Sequence, residues 1–456
     1  MASRSDQLHS QQFTLQRVVG ALAMRDADPA VSPLRRIGGS LVASVLIAAL
    51  AVAAVGVYGV LRPGGSTSWQ AGNAVIVEEE TGARFVYRDG VLHPVLNYSS
   101  AVLVLGQPAP PRVRVSRSSL ARVPRGPVLG IAGAPDALPA AADLLAGAWT
   151  LCSRPVAGAA GPESVLLVGS TMPGRPLDDA GVLAVDPAGG LHLLWHARRY
   201  AIAAPELVLA AFAWSRSAAV AVSAALLNAV PAGPDLGPVA VPRGTPGVSP
   251  VDGLRIGQVF VVETATGDKR FGVVLANGLA DVTAAQADLL LADPAGPGGR
   301  PTPMGQAQYA AAPKSPTSLM PTGDGAPPAS PPTLAGADSQ TGVCASFPSS
   351  AAPTLTLAPT PHAASELRTR PGPADLTAPV DVVAVPPGRG ALVSAAGVLS
   401  LVVDLGVRFP VPSADVARLL GYAGVAPTTL PPSLVSLLPS GRALDPALAL
   451  LPASAT

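Results

Sequence analysis

The chain has 456 residues, of which 49% are hydrophobic and only 4% aromatic, and its formal net charge is +1 at pH 7. The 30 basic and 29 acidic residues nearly cancel, which excludes the basic footprint of a nucleic-acid-binding protein. The length allows two or more domains, whose cores leucine, valine and alanine must fill because aromatic residues are scarce.

An uncharged run covers residues 37–61 and directly follows Arg35 and Arg36. A helix of about 20 apolar residues crosses a bilayer, so the run predicts a single transmembrane helix. A cleaved signal peptide is the alternative, but its apolar core is typically about 7 to 15 residues long. Five arginines precede the run and only Arg62 follows within 20 residues. This asymmetry predicts a plasma (inner) membrane protein with a cytoplasmic N-terminus and an extracytoplasmic C-terminal region.

The segment before the span carries an apolar stripe at helical spacing, formed by Leu15, Val18, Val19 and Leu22. The spacing predicts a short amphipathic helix. Such a helix either docks on a partner protein or lies on the inner membrane surface, and the sequence favours neither.

The chain has two cysteines, Cys152 and Cys344, both beyond the predicted span. On the oxidising side of the membrane, a disulfide is the expected state. A nucleophilic cysteine or half of a metal site are the alternatives, but five scattered histidines offer no ligand spacing around either cysteine. A disulfide here would build one domain from two distant stretches of the chain.

A pattern of strand, turn, strand and helix recurs beyond the span. Asp89-Gly90, Asn277-Gly278 and Gly406 mark the turns of three copies, and a fourth copy has no turn glycine; the copies cover residues 83–106, 269–292, 398–421 and 191–214. Asp-Gly and Asn-Gly are strong hairpin signals because both central positions need positive φ. Units this small are expected to pair or to pack on a larger core.

The predicted fold class is therefore α+β: a transmembrane helix, then four ββα-type repeats around a β-rich, disulfide-stapled central domain. The expected segments are a cytoplasmic segment (1–36), the span (37–61), repeat 1 (62–110), the first part of the central domain (111–185), repeat 2 (186–250), repeat 3 (251–293), a Pro/Gly-rich loop (294–342), the second part of the central domain (343–395), and repeat 4 with a tail (396–456).

The stretch LHPVLNYSSAVLVLG, residues 92–106, carries a specific signature formed by His93, Pro94, Asn97, Ser100 and Gly106. Together with GIAGAPDALP (130–139), WTLC (149–152), residues 259–280 and DSQTGVCASF (338–347), it resembles the EccB family, the single-span membrane component of type VII (ESX) secretion machines.

The resemblance implies a structural core subunit that supports the export of WXG100-type and PE/PPE-like proteins. It also implies assembly with the EccC-type ATPase, EccD and EccE, near the mycosin protease, in the lipid bilayer, with a homo-oligomer inside the complex. No nucleic acid and no cofactor are expected.

Sequence motifs for catalysis are scarce. Neither Lys269 nor Lys314 lies in the Gly-Lys-Ser/Thr loop that binds phosphates. ATP hydrolysis has been proposed for EccB-like proteins, so an extracytoplasmic ATP-hydrolysing subunit is the alternative function, and a cell-wall-binding module is a third. His192 and His196, with Glu206 nearby, form at most an incomplete metal set, so no catalytic or metal residue is predicted.

Overall fold

In a computed structural model the protein is described over most of its length. The described residues are 3–24, 33–61, 68–156, 158–159, 161–241, 249–296, 298–336, 341–349, 351–359, 368–369 and 379–453.

Two helices precede the large folded region. Helix α1 covers Arg4–Met24 and α2 covers Pro33–Leu61. Within α2, Gly38–Val57 is long and apolar enough to cross a membrane. The predicted single transmembrane helix is confirmed, and α2 begins four residues before the uncharged run.

The chain then alternates between small sheets and one large sheet. The elements of repeat 1 are β1 (Val75–Glu78), β2 (Arg84–Arg88), β3 (Val91–Pro94), α3 (Tyr98–Leu105), β4 (Arg112–Val115) and α4 (Arg117–Leu120). The first part of the central domain has β5 (Trp149–Arg154), β6 (Glu163–Leu167) and β7 (Arg175–Pro176).

The middle repeats follow as one continuous insertion. Repeat 2 consists of β8 (Val182–Val185), β9 (Leu191–Trp195), β10 (Arg198–Ala201), α5 (Pro205–Ala211), β11 (Val220–Ala221) and α6 (Ala224–Ala229). Repeat 3 consists of β12 (Val259–Glu263), β13 (Lys269–Leu275), β14 (Gly278–Val282), α7 (Ala284–Ala292), β15 (Thr302–Pro303) and α8 (Gln306–Ala311).

The chain returns to the central domain and ends in repeat 4. The returning strands are β16 (Thr341–Phe347), β17 (Thr354–Pro359), β18 (Arg368–Thr369) and β19 (Val382–Ala384). Repeat 4 has β20 (Gly390–Ala395), β21 (Val398–Val403), β22 (Arg408–Val411), α9 (Ala414–Leu419), β23 (Thr428–Thr429), α10 (Pro432–Val435) and α11 (Pro446–Ala449).

Each repeat is larger than the predicted ββα unit. Three antiparallel strands precede the helix, and a fourth strand then pairs in parallel with the first, as in the order β3-β2-β1-β4. The same order recurs in the other three repeats. The sheets extend past the expected boundaries, since β4 lies beyond residue 110, β8 begins before 186 and β20 begins before 396. The fourth strand has two residues in three of the repeats, which is too short for a periodic signal.

A further segment lies along the third strand of every repeat, and we call it the strap. Each strap begins with Pro-x-Gly or Pro-x-Ser, at residues 124–126, 231–233, 313–315 and 439–441. The middle residue of each strap forms a parallel bridge to the third strand, in the pairs Leu92–Arg125, Arg199–Ala232, Leu279–Lys314 and Arg408–Ser440. The strap of repeat 3, together with β15 and α8, lies inside the segment that the sequence predicted to be a loop.

The four repeats pack in two pairs. Helix α3 of repeat 1 shares a core with strands of repeat 4, where Val102 and Leu103 pack in one cluster with Leu401 and Phe409. Val208 and Phe212 of repeat 2 pack with Ala285 and Leu289 of repeat 3. The expectation that such small units pair is met by these shared cores.

The central domain is a seven-stranded sheet of order β18-β19-β6-β5-β16-β17-β7. Strands from two stretches of the chain meet at its middle, where β5 pairs antiparallel with β16 and Cys152 lies opposite Cys344. The two cysteines are disulfide-bonded across a sequence separation of 192 residues. The predicted α+β class with small sheets around a disulfide-stapled centre is confirmed.

Candidate functional site

The signature residues lie where α3 begins and where the strap of repeat 1 passes it. Asn97 caps α3: its Oδ1 accepts hydrogen bonds from the backbone N–H of Ser100 (2.9 Å) and from the Ser100 hydroxyl (2.6 Å). At the other end of the helix, Gly106 adopts φ 65° and its N–H bonds to the carbonyl of Val102. A capping residue and a left-handed glycine therefore fix the length of this helix.

The same two side chains hold the strap. The Asn97 amide donates to the carbonyl of Ile131 (2.8 Å), and the Ser100 hydroxyl accepts from the N–H of Ile131 (2.9 Å). Asn97 and Ser100 are buried, so their polar atoms require these partners. We call this four-bond set the Asn97–Ser100 clamp. It joins α3 to a segment more than 30 residues later.

His93 and Pro94 hold the strap from the third strand. The carbonyl of Pro94 accepts from the N–H of Leu129 (2.8 Å), and His93 Nδ1 lies 3.2 Å from the carbonyl of Pro127. A Cβ on Gly126 would overlap the His93 ring. Four of the signature residues thus form a structural joint with the strap, namely His93, Pro94, Asn97 and Ser100, while Gly106 ends the helix.

The strap is the feature that the sequence analysis missed. A ring on the third strand lies against the strap glycine in three repeats, in the pairs His93–Gly126, Tyr200–Gly233 and Phe409–Gly441. Repeat 3 has Ser315 at the glycine position and Ala280 at the ring position, so a larger strap residue coincides with a smaller partner. The recurring Pro-x-Gly could have revealed this joint from the sequence.

The stripe on α1 is exposed in the isolated chain. Leu15, Val18, Val19 and Leu22 have exposed fractions of 63%, 51%, 37% and 80%. Phe13 is also exposed, and the guanidinium of Arg17 lies 5.7 Å from its ring centroid. Exposed apolar side chains in this number on one helix are typical of a surface that lipid or a partner covers.

The two histidines of repeat 2 do not lie side by side on a strand. His192 is on β9, whereas His196 is in the β9–β10 turn with φ 44°, followed by Ala197 with φ 62°. This turn replaces the Asp-Gly of repeat 1. His192 Nε2 contacts Asp186 (3.0 Å), His196 Nε2 contacts Asp179 (2.9 Å), and Glu206 instead binds Arg216. Among the described residues, no group of three His, Cys, Asp or Glu side chains is arranged to hold a metal ion.

Asp186 organises the turn between β8 and β9. Its Oδ1 accepts from the N–H groups of Ala188 (2.8 Å) and Gly190 (2.9 Å), while Oδ2 faces His192. The hydrogen bond from His192 and those from the backbone hold the pKa of Asp186 below its ordinary value. This arrangement stabilises a turn and leaves no free base.

Lys314 is engaged within repeat 3. Its ammonium donates to the carbonyl of Tyr309 and lies 3.5 Å from the Tyr309 ring centroid. The Tyr309 hydroxyl donates to Asp281 (2.8 Å). Burial lowers the pKa of Lys314. The ammonium thus interacts with groups of its own repeat and not with an open phosphate-binding loop.

Two grooves on the described surface are large enough to hold a small ligand. One, of about 620 Å³, lies on repeat 4 between β20, β22 and α9, with Leu399, Val411 and Tyr422 in its wall. The other, of about 330 Å³, lies between Leu236 of repeat 2 and Gln286 and Leu319 of repeat 3.

Comparison with known families gives a match along almost the whole chain. The family model described as "Type VII secretion system ESX-1, transport TM domain B" matches residues 1–455.

Individual relatives agree with the family model. ESX-3 secretion system ATPase EccB3 of Mycolicibacterium smegmatis is 28% identical over 481 residues, covering 96% of this chain and 88% of that protein. ESX-1 secretion system ATPase EccB1 of Mycobacterium tuberculosis is 30% identical over 301 residues, covering 63% of this chain and 60% of that protein.

Solved structures share the fold. An EccB3 dimer from the ESX-3 core complex matches with 28% identity and a TM-score of 0.63, covering 83% of this chain and 100% of that one. A chain of an intact ESX-5 inner membrane complex matches with 24% identity and a TM-score of 0.67, covering 100% of this chain and 96% of that one. At that identity the second match supports the fold alone.

Proposed function

The chain belongs to the EccB family of type VII (ESX) secretion proteins, and from this membership we propose that it is a structural core subunit of an ESX membrane complex. In this role it supports the export of WXG100-type and PE/PPE-like proteins. The observation that carries the proposal is the family match along residues 1–455, and a 28% identical relative that comes from an ESX-3 core complex supports it. The proposed neighbours are an EccC-type ATPase, EccD, EccE, the mycosin protease and a second copy of the chain.

The proposed topology places α1 in the cytoplasm and the repeats outside. Basic residues concentrate before the span, and the disulfide suits an oxidising compartment. Protease added to intact spheroplasts is expected to digest the region after the span and to spare α1. Protection of the large region would reverse the topology.

The cytoplasmic helix is the proposed docking element. Its four exposed stripe residues lie close in sequence to the transmembrane helix, since α1 ends at Met24 and α2 begins at Pro33. A partner embedded in the membrane can therefore cover them. The membrane surface itself is the competing occupant.

The outward region is proposed to act by assembly. The polar side chains that the sequence offered as candidate ligands or signature residues interact within the fold. Asn97 and Ser100 bind the strap of repeat 1. His192 binds Asp186, and Lys314 binds Tyr309. These interactions hold the side chains in place within the fold, as is typical of a scaffold.

ATP hydrolysis is the second candidate function, and the names of the relatives as ATPases favour it. A fragment that begins at Ser68 is expected to release phosphate from ATP no faster than buffer does. The enzymatic alternative requires that phosphate release rise in proportion to the protein concentration. It also requires that a single substitution after the span abolish this release while the complex stays intact.

The assembly proposal is tested by purification in a mild detergent. A tagged full-length chain is expected to retain EccC, EccD and EccE homologues in fixed ratios, identified by mass spectrometry. The control is an unrelated tagged single-span protein, expressed at the same level, which should retain none of them. Purification of the tagged chain alone from cells that secrete normally would contradict the proposal.

A further inference from the structure

Basic charge in the outward region is concentrated in repeat 1. Residues 68–126 contain seven arginines and four acidic residues, a formal charge of +3. Residues 127–456 contain 17 basic and 22 acidic residues, a formal charge of −5. The repeat nearest the span therefore carries a net positive charge, whereas residues 127–456 taken together are negative.

The excess positive charge of repeat 1 lies at one end of its sheet. The last residue of β2, Arg88, and the first residue of β4, Arg112, lie at one end of the sheet, where Val75 pairs with Arg112. Arg125 of the strap lies beside Leu92 near the same end. The opposite end, after Val77, carries Glu78, Glu79 and Glu80 together with Arg84, Arg114 and Arg117, so its formal charge is zero.

The cationic end is also where the chain arrives from the membrane. Trp69 is buried in the small core that contains Phe85 and Leu120, and its ring meets Tyr87 edge-on at 5.3 Å. Arg122 and Arg125 flank Val123, which packs on that core. We call Arg88, Arg112, Arg122 and Arg125 the span-proximal arginines.

Three of these arginines form no ion pair within the described residues, although the charge of Arg125 still contributes to lowering the pKa of Glu78. Arg88 pairs with Asp89 at 3.3 Å, but among the described residues no carboxylate lies within ion-pair distance of Arg112, Arg122 or Arg125. All three are exposed, and two lie over rings, Arg112 over Tyr98 (4.3 Å) and Arg125 over Phe85 (4.9 Å). Stacking holds their guanidinium groups in place with N–H donors available to an anion.

The short linker between the span and repeat 1 allows this end to reach the bilayer surface. Six residues separate Leu61, the last residue of α2, from Ser68. Whatever their conformation, seven Cα–Cα steps reach at most about 25 Å. An anionic membrane surface attracts basic side chains within a Debye length of roughly 8 to 10 Å.

We propose that the span-proximal arginines bind anionic phospholipid headgroups and so dock repeat 1 on the membrane surface beside its own span. The charge sign, the exposed guanidinium groups and the short linker select this occupant. The proposal holds for either orientation of the chain, because α2 and repeat 1 are adjacent in both. It does not depend on the proposed function.

The test uses the full chain in nanodiscs. Both native cysteines are bonded, so a fluorophore attaches selectively to an introduced Ala121→Cys, next to Arg122. Nanodiscs of phosphatidylcholine, with or without one quarter phosphatidylglycerol, contain a headgroup-labelled quencher lipid. Quenching is expected to be at least threefold stronger with phosphatidylglycerol and to fall to the phosphatidylcholine level in 0.5 M NaCl. The same label on Ala265→Cys in repeat 3 should show no such dependence.

Charge reversal supplies the matched comparison. Arg122→Glu/Arg125→Glu should abolish the phosphatidylglycerol-dependent quenching, whereas Arg255→Glu/Arg300→Glu in repeat 3 should leave it unchanged. The salt titration of the native chain remains decisive if the first pair perturbs folding. Equal quenching in both lipid mixtures would overturn the proposal. So would shielding of the label that appears only when other complex subunits are present, which would assign the arginines to a protein partner.

Discussion

The hydroxyl of Ser100, on the first turn of α3, accepts a hydrogen bond from the backbone N–H of Ile131 at 2.9 Å. Asn97 supports this bond by accepting from the same hydroxyl and by binding the Ile131 carbonyl. A helix cap and a strap thus share one buried polar joint, and this joint explains why the signature has an asparagine and a serine three residues apart.

Ser100→Ala is expected to destabilise the folded region after the span by about 1 to 3 kcal/mol, because the buried N–H of Ile131 loses its acceptor. Asn97→Ala should cost at least as much, since it also removes the cap. Denaturant unfolding of the two variants measures both effects. Ser116→Ala is the control, because the Ser116 side chain makes no capping bond. Equal effects of Ser100→Ala and Ser116→Ala would contradict the role of the joint.

Gly126→Ala is expected to destabilise repeat 1, because the new Cβ overlaps the His93 ring. Removing the ring in the double variant Gly126→Ala/His93→Ala should recover part of the lost stability. Repeat 3 already has this combination, with Ala280 at the ring position and Ser315 at the glycine position. Thermal unfolding of the four chains forms a double-mutant cycle. Gly305→Ala, where no atom lies within 4 Å, is the control. Additive effects of the two substitutions would argue against the contact.

The hairpins and the span could be predicted from the sequence because their signals are local. The disulfide could be predicted because both cysteines follow the span, on the side expected to be oxidising. Asp89-Gly90 identifies a turn on its own, and 25 uncharged residues identify a span. The two-residue strands β11, β15 and β23 could not be predicted, since a parallel pairing across a helix leaves no periodic pattern.

The straps and the turn at His196 were not predicted, because their amino-acid composition indicates other structures. Proline and glycine in residues 294–342 indicate a loop, yet Pro313 and Lys314 lie along β14, because the partner strand and not local propensity sets the strap conformation. His196 and Ala197 adopt positive φ without a glycine, which tertiary contacts such as that between His196 and Asp179 support. The Asn97–Ser100 clamp required a contact across 31 residues or more, which only the fold provides.

Stability is expected to depend on the charge of Asp186. Its pKa is lowered in the folded state, so its contribution is present above the ordinary value of 3.8 and is lost as the pH falls through the lowered pKa. Asp186→Asn should therefore lower the free energy of unfolding at pH 7 by roughly 1 kcal/mol, since the group is partly exposed. The unfolding temperature should fall accordingly. The difference from the native chain should shrink below pH 3.8. The exposed Asp252→Asn serves as the control, and a difference that stays constant with pH would refute the assignment.

Reduction of the disulfide is expected to destabilise the central domain strongly. The bond closes a loop of 192 residues, which corresponds to about 5 kcal/mol in the chain-entropy model. Unfolding temperatures with and without reductant measure the effect, and Cys152→Ser/Cys344→Ser should abolish the dependence on reductant. The prediction fails if the native chain, with both thiols shown to be free, unfolds at an unchanged temperature.

The central claim is that the chain works by assembly through α1 and its span, and the stripe on α1 tests it most directly. Leu15→Asp/Leu22→Asp places two charges on the exposed stripe, and Ser10→Asp/Gln16→Asp adds the same charge elsewhere on the helix. Each tagged full-length variant is purified in mild detergent, and the co-purified ESX subunits and the secreted substrates are quantified. The stripe variant should lose at least nine tenths of both, with its disulfide intact and its membrane insertion unchanged, while the control variant keeps both. Normal co-purification and secretion by the stripe variant would contradict the account.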